Sequence, residues 1–98
     1  MAFRIRWSEA AIQSLEEICH QIEQFSLPYA KLLAREINFR VRQLAQHPFI
    51  GRKVPEFPDK DYREFIFQDY RIIYRVREDR VEIGVVWHGA RVLQEPFH

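Results

Sequence analysis

The sequence predicts an α+β domain in the order β-α-α-β-β-β, an αα-hairpin packed on a small, mainly antiparallel sheet. Three observations carry this. Phe3, Ile5 and Trp7 alternate with Arg4 and Arg6, the period of a half-buried strand. From Ser8 to Ala45 the apolar residues recur at helical spacing, with one break at Ser26-Leu27-Pro28. From Tyr62 to Arg91 the chain reads as three strands separated by Gln68-Asp69 and Glu78-Asp79.

Ser8 is placed to cap a first helix over roughly 8–24, and Glu9 favours its positive end. Ala11, Leu15, Ile18, Cys19, Ile22 and Phe25 form its apolar stripe, with Cys19 expected as a buried core thiol. Pro28 suits the first turn of a second helix. There Ala30, Leu33, Ala34, Ile37, Val41, Leu44 and Ala45 face inward, while Lys31, Arg35, Asn38 and Arg42 form a basic stripe. His47-Pro48 ends this helix, and a short connection makes the pair antiparallel. Residues 48–61 hold three of the five prolines and read as a loop of functional length.

A two-residue loop at Glu78-Asp79 sets the register of the last hairpin. Val76–Val81, Tyr74–Ile83, Ile72–Val85 and Tyr70–Trp87 then pair on an apolar face that meets the helices. Arg75–Glu82, Ile73–Gly84, Arg71–Val86 and Asp69–His88 pair on a mixed face, with Arg71 diagonal to His88. Phe65, Phe67 and Ile73 leave apolar groups on both faces, which calls for a partner or another layer.

At 98 residues the chain is long enough for one domain, 1–98, with one core. A composition 47% hydrophobic and 30% charged excludes a disordered chain. The single cysteine excludes an intrachain disulfide and a cysteine-based zinc site. His20, His47, His88 and His98 show no metal spacing, so neither metal nor cofactor is expected. No apolar run approaches the length of a membrane span and the first residues lack a signal-peptide core, so the cytoplasm is the expected location. The net charge is +1, yet residues 8–25 carry four Glu and no Lys or Arg, whereas residues 31–53 carry six basic residues and one Glu. Such a dipolar domain presents a basic face to an acidic partner.

The segments RWSEAAIQSLEEI, LAQHPFIGRKVPE, DYRIIYRV and VEIGVVWHGAR, with Arg63-Glu64 between them, resemble in order and spacing the RelE/ParE superfamily of type II toxins, the group often called plasmid stabilisation proteins. The resemblance covers nearly the whole chain. It implies a growth-inhibiting toxin held in a hetero-oligomer with a cognate antitoxin. It also implies one of two targets. RelE-like members cut mRNA in the ribosomal A site without a metal, and ParE-like members inhibit DNA gyrase. A third outcome is an inactive member serving only antitoxin binding and operon autoregulation.

For RNA cleavage, Arg71 falls where RelE-like nucleases keep a phosphate-binding Arg, Arg91 falls near a second one, and His88 lies near a position where some relatives use His. Arg71, Arg91 and His88 are thus the catalytic candidates. Arg63, Arg52, Lys53 and Glu56 are the candidates for phosphate or target contact. Phe65, Phe67, Ile73, Lys31, Arg35 and Arg42 are the candidates for antitoxin contact. The chain departs from the nuclease pattern at its end, where Phe97 stands near a Tyr and has no proton to give. The Lys pair of some nucleases appears as Arg63 and Phe65. Arginine, with a pKa above about 12, is a poor general base. The HGAR ending and the GRKVPE loop resemble ParE-type sequences, which makes gyrase inhibition the favoured reading and leaves catalysis open.

Overall fold

A computed structural model describes residues 2–97; His98 lies outside them. The elements are β1 (Arg4–Trp7), α1 (Glu9–Glu23), α2 (Leu27–Gln43), β2 (Arg52–Lys53), β3 (Tyr62–Phe67), β4 (Tyr70–Arg77) and β5 (Arg80–His88). They form one five-stranded sheet in the order β1-β5-β4-β3-β2. All pairs are antiparallel except β1 with β5, because the helical hairpin carries the chain back before β5 is laid down. No helix among the described residues is long and apolar enough to cross a membrane.

Both helix starts follow from local chemistry. Ser8 Oγ accepts the Ala11 N–H at 3.0 Å, and Ser26 Oγ accepts the Tyr29 N–H at 3.2 Å, with Pro28 in the first turn of α2. Helix α2 ends at Gln43, a few residues before His47-Pro48, and residues 44–46 continue as turns. Ala11 from α1 and Leu33, Ile37, Val41 and Leu44 from α2 meet Ile72, Tyr74, Val81, Ile83 and Val86 in the main core. Leu15, Ile18 and Ile22 complete the α1 stripe. Two stripe residues depart from expectation. Phe25 is 91% exposed because α1 has ended before it, and Cys19 is only half-buried at the α1–α2 contact. Burial still pushes the Cys19 thiol up, and Glu23 adds to the shift.

The hairpin register holds from Arg77–Arg80 to Tyr74–Ile83 and then changes. Gly84 is an extra residue, a β-bulge, so Ile73 pairs with Val85, Ile72 with Val86, Arg71 with Trp87 and Tyr70 with His88. Every side chain of β5 beyond Gly84 is therefore on the opposite face from the unbulged expectation. Val86, not Val85, enters the main core. Trp87 leaves the helix side, and His88 turns its ring edge-on to Tyr70 at 5.4 Å.

The bulge has visible causes. Strand β1 ends at Trp7, so the edge of β5 beyond Ile83 needs other partners. Helix α1 supplies them. Ser8 Oγ donates to the Gly84 carbonyl at 2.9 Å, and Ser14 Oγ accepts the Val86 N–H at 3.0 Å. On the other face Phe97 lies flat on Gly84, where a Cβ would come within 2.7 Å of the ring.

The outer sheet face carries a second core. Val54, Tyr62, Ile73 and Leu93 are buried there, with Phe57, Val85, Trp87 and Phe97 packed around them. Two segments without regular structure provide the layer, the loop before β3 and the tail after β5. The loop is also more ordered than a plain connection, since Arg52 and Lys53 pair with Glu64 and Arg63 as β2. Tyr74 reaches under it, its hydroxyl accepting the Gly51 N–H at 2.9 Å, and a Cβ at Gly51 would sit 2.6 Å from that oxygen.

Candidate functional site

On the outer face, beside the second core, four charged side chains form one network. Strand alternation puts Glu64 on the same side as Tyr62 and Ile66, and the register Ile66–Arg71 makes Arg71 its diagonal neighbour on β4. Glu64 is 1% exposed and Arg71 8%. Arg71 Nε donates to Glu64 Oε1 at 2.6 Å, and Arg52 Nε donates to Glu64 Oε2 at 2.7 Å. The two terminal nitrogens of Arg71 grip Glu56 as a fork, at 2.6 and 2.8 Å. A buried carboxylate and a buried guanidinium are tolerable because each saturates the other and a surface partner completes each one.

The electrostatics follow the geometry. Its bonds to Arg71 hold the Glu56 carboxyl down at about 2, against an ordinary value of 4.5. Glu56, and then Glu64, push the Arg71 guanidinium above its ordinary range, so it stays charged at any accessible pH. With two arginines and two carboxylates the network is neutral. Its mechanical effect is to pin the Gly51–Glu56 loop to the sheet.

The expected catalytic residues are thus distributed differently from the sequence expectation. Arg71 is not open beside His88; it is consumed by carboxylates and pairs with Trp87 across the strands. His88 lies between two shallow clefts. One, lined by Arg52, Glu56, Ile66, Arg71 and Gly89, includes Arg71. The other, lined by Ser14, Glu17, Tyr70 and Trp87, includes Arg91. Arg71 and Arg91 therefore line different clefts, with His88 on the border of both. His88 Nδ1 takes the Ala90 N–H at 3.2 Å, and the Arg91 backbone N–H and carbonyl are held by His88 and Trp87. No cluster suited to a metal ion is present among the described residues.

Among the contact candidates, Arg52 and Lys53 are exposed on β2, each in an ion pair, with Glu64 and Asp61. Arg63 is committed to the loop: it donates to the Phe49 and Gly51 carbonyls and stacks on the Phe49 ring. Lys31, Arg35 and Arg42 are exposed on α2, beside half-exposed Leu32 and Phe39. Phe65 and Phe67 lie on the helix side of β3, partly buried against the main core, and Arg40 covers Phe67. Ile73 has no exposed surface, because the tail and loop cover it.

Glu64 is the residue that sequence reasoning missed. Its signal was legible. Extending the two-residue loop at Gln68-Asp69 backward pairs Ile66 with Arg71 and sets Glu64 diagonal to an arginine on a face that also carries Tyr62.

Comparison with known proteins gives a consistent picture. The family described as "ParE toxin of type II toxin-antitoxin system, parDE" matches residues 5–93. A protein of Sinorhizobium fredii named as a candidate toxin, Y4kP, is 36% identical over 88 residues, 88% of each chain. Among solved structures, the chromosomal ParDE toxin–antitoxin system from P. aeruginosa superposes with a TM-score of 0.71 at 19% identity, over 89% of this chain and 96% of that one. The toxin–antitoxin complex RelBE2 from Mycobacterium tuberculosis gives 0.63 at 20% identity, over 90% and 99%. These two likenesses bear on the fold, two helices on a five-stranded sheet.

Proposed function

Since this chain belongs to the ParE toxin family of type II toxin–antitoxin systems, we infer that it arrests growth by binding DNA gyrase and is neutralised by a cognate antitoxin. The observation that carries the gyrase reading is the state of Arg71. Nuclease chemistry without a metal needs a free cation for the phosphate and a positioned acid and base. Here the Arg71 fork is occupied by Glu56, and Arg91 stands in a different cleft. Phe97, at the end of the chain, is stacked on Tyr62 and under Arg75 and offers no proton. A binding inhibitor requires none of these groups. It requires surface, and the family fold supplies it.

The antitoxin is expected on the exposed side of α2, where Leu32 and Phe39 lie among Lys31, Arg35 and Arg42. Phe65 and Phe67 extend this surface along β3. An acidic amphipathic segment matches that chemistry, and the two chains then form the hetero-oligomer in the cytoplasm.

The test is a pair of assays on the purified chain. Gyrase supercoiling is expected to fall as the toxin is added, and translated mRNA is expected to stay intact in primer extension. Untouched supercoiling at large excess, with cuts placed by codon, would overturn the reading. One observation favours that second outcome: Arg71 and His88 border the same cleft. If cuts appear, His88→Ala and Arg71→Ala should each abolish them, and the protein is then a metal-independent endoribonuclease.

A further inference from the structure

The outer sheet face has a second charged region, at the opposite end from the Arg71 network, that the sequence does not show as a cluster. The parallel register of β1 on β5 sets Arg4 beside Arg80, and the antiparallel register of β4 on β5 sets Arg77 on the other side of Arg80. Three arginines therefore stand in one row across three adjacent strands. The next row on the same face is Arg6, Glu82 and Arg75. Strand spacing and rise make this grid about 10 Å by 7 Å. It holds five guanidinium groups around one carboxylate.

Like charges placed directly across strands oppose folding, and the internal compensation is partial. Glu82 is shared, at 2.9 Å from Arg80 and 2.6 Å from Arg75, and these two arginines hold its carboxyl below the usual range. Arg4 meets Asp79 at 3.3 Å, both well exposed. Arg6 and Arg77 are exposed and make no ion pair among the described residues. Edge protection accounts for charge on β1; it does not account for Arg77 and Arg80 on inner strands. The acids that border the grid sit at its margins: Glu78 and Asp79 in the turn, Asp59 and Asp61 on the flanking loop, with Asp61 already paired to Lys53, and Glu95 in the tail, bonded to Tyr62 and the Phe97 N–H.

We propose that this arginine grid is a binding surface for the phosphodiester backbone of duplex DNA. The planar guanidinium fork matches phosphate oxygens. The grid is three strands wide, so it engages phosphates in two dimensions, whereas an extended acidic peptide would follow only one line of it. A sheet face three strands wide meets the phosphate backbone rather than entering a groove, so binding is independent of DNA sequence and steep in salt. The surface goes beyond the gyrase reading and does not depend on it.

The experiment is fluorescence anisotropy of a labelled 20-base-pair duplex with the purified full chain and no gyrase present, so its outcome is separate from the supercoiling assay. At about 50 mM salt the expected Kd is on the order of 10⁻⁶ M or tighter, and it weakens toward roughly 10⁻⁴ M as salt is raised to the physiological range. Arg6→Gln with Arg77→Gln is expected to weaken binding about tenfold or more and to lower the salt slope by about 2, one unit per lost phosphate contact. The same double variant should melt no lower than the parent, because it removes repulsion and breaks no ion pair. Gln13→Glu with Gln46→Glu lowers net charge equally on the helix side and should leave binding within about twofold. Arg6→Lys with Arg77→Lys keeps the charge, loses the fork and should bind with intermediate affinity. The proposal is overturned if the duplex is not bound at low salt, if the Arg6/Arg77 variant binds like the parent, or if the helix-side control loses as much. It is also overturned if a 20-residue poly-glutamate displaces the duplex at lower concentration than the duplex itself, which would assign the grid to an acidic protein.

Discussion

Glu64 and Arg71 show what a single charged residue does when burial leaves it no water. Breaking such a pair leaves an uncompensated buried charge, so Glu64→Gln should lower unfolding free energy by about 3 kcal/mol, within the range for buried pairs. Urea denaturation checks this, and a loss under about 1 kcal/mol would mean that the network contributes little. Glu56 is a different case because its side chain is 41% exposed. Its folded pKa lies below the unfolded one, so its contribution is fully present above about 4.5 and disappears as pH falls through about 2. The stability gap between the parent and Glu56→Gln should therefore be constant from pH 7 to 5 and narrow on acidification. A gap unchanged at pH 2.5 would contradict the pairing. The sequence offered Arg71 as a candidate phosphate ligand, which was legible from its neighbours. Glu56 was legible only as a target contact and Glu64 only as part of the Arg63-Glu64 motif, because their pairing with Arg71 joins a loop and two strands.

At the scale of elements the bulge at Gly84 decides most. It moves Trp87 and Val85 to the outer face and Val86 and His88 to the helix side. Adding a methyl there pushes against the Phe97 ring, so Gly84→Ala should cost about 1–3 kcal/mol, as overpacking does. In a Phe97→Ala background the same change should cost distinctly less, and a double-mutant cycle by thermal or urea melting reads the coupling. Full additivity would show that Phe97 is not what keeps the position small. Ser8 links the cap of α1 to the bulge through two bonds, and Ser8→Ala should lose about 1–2 kcal/mol. The helices were legible because their period, the Ser8 cap and Pro28 agree, while the Ser26 cap of α2 came from the structure. The hairpin register was legible for the four pairs nearest its turn and failed where one residue was inserted.

For the whole molecule the sheet is a middle layer, with helices on one side and the tail and loop on the other. The apolar residues on both strand faces pointed to a further layer, and the chain supplies it from its own segments. Tyr62 donates to Glu95 at 2.6 Å and Trp87 to the Arg91 carbonyl at 3.2 Å, which fixes the tail in place. Deleting residues 92–98 should expose Ile73 and Leu93's neighbours, lower the urea midpoint and raise binding of an apolar dye. An unaltered midpoint would mean that the second core contributes nothing to folding.

The sequence by itself determined the α+β class, both helices with the Ser8 cap of the first and Pro28 in the first turn of the second, three of the five strands in the last third of the chain, β1, and membership of the toxin superfamily. These depend on short-range periodicity, capping chemistry and ordered motifs, all of which act over a few residues. Only the tertiary structure decided which face each residue beyond Gly84 occupies, that Arg71 is held by Glu56 and Glu64, that the tail completes a second core, and that five arginines from β1, β4 and β5 share one surface. Each of these is a pairing between segments distant in sequence. One inserted residue inverts a strand face, and no local pattern encodes the contact with α1 and Phe97 that makes the insertion stable.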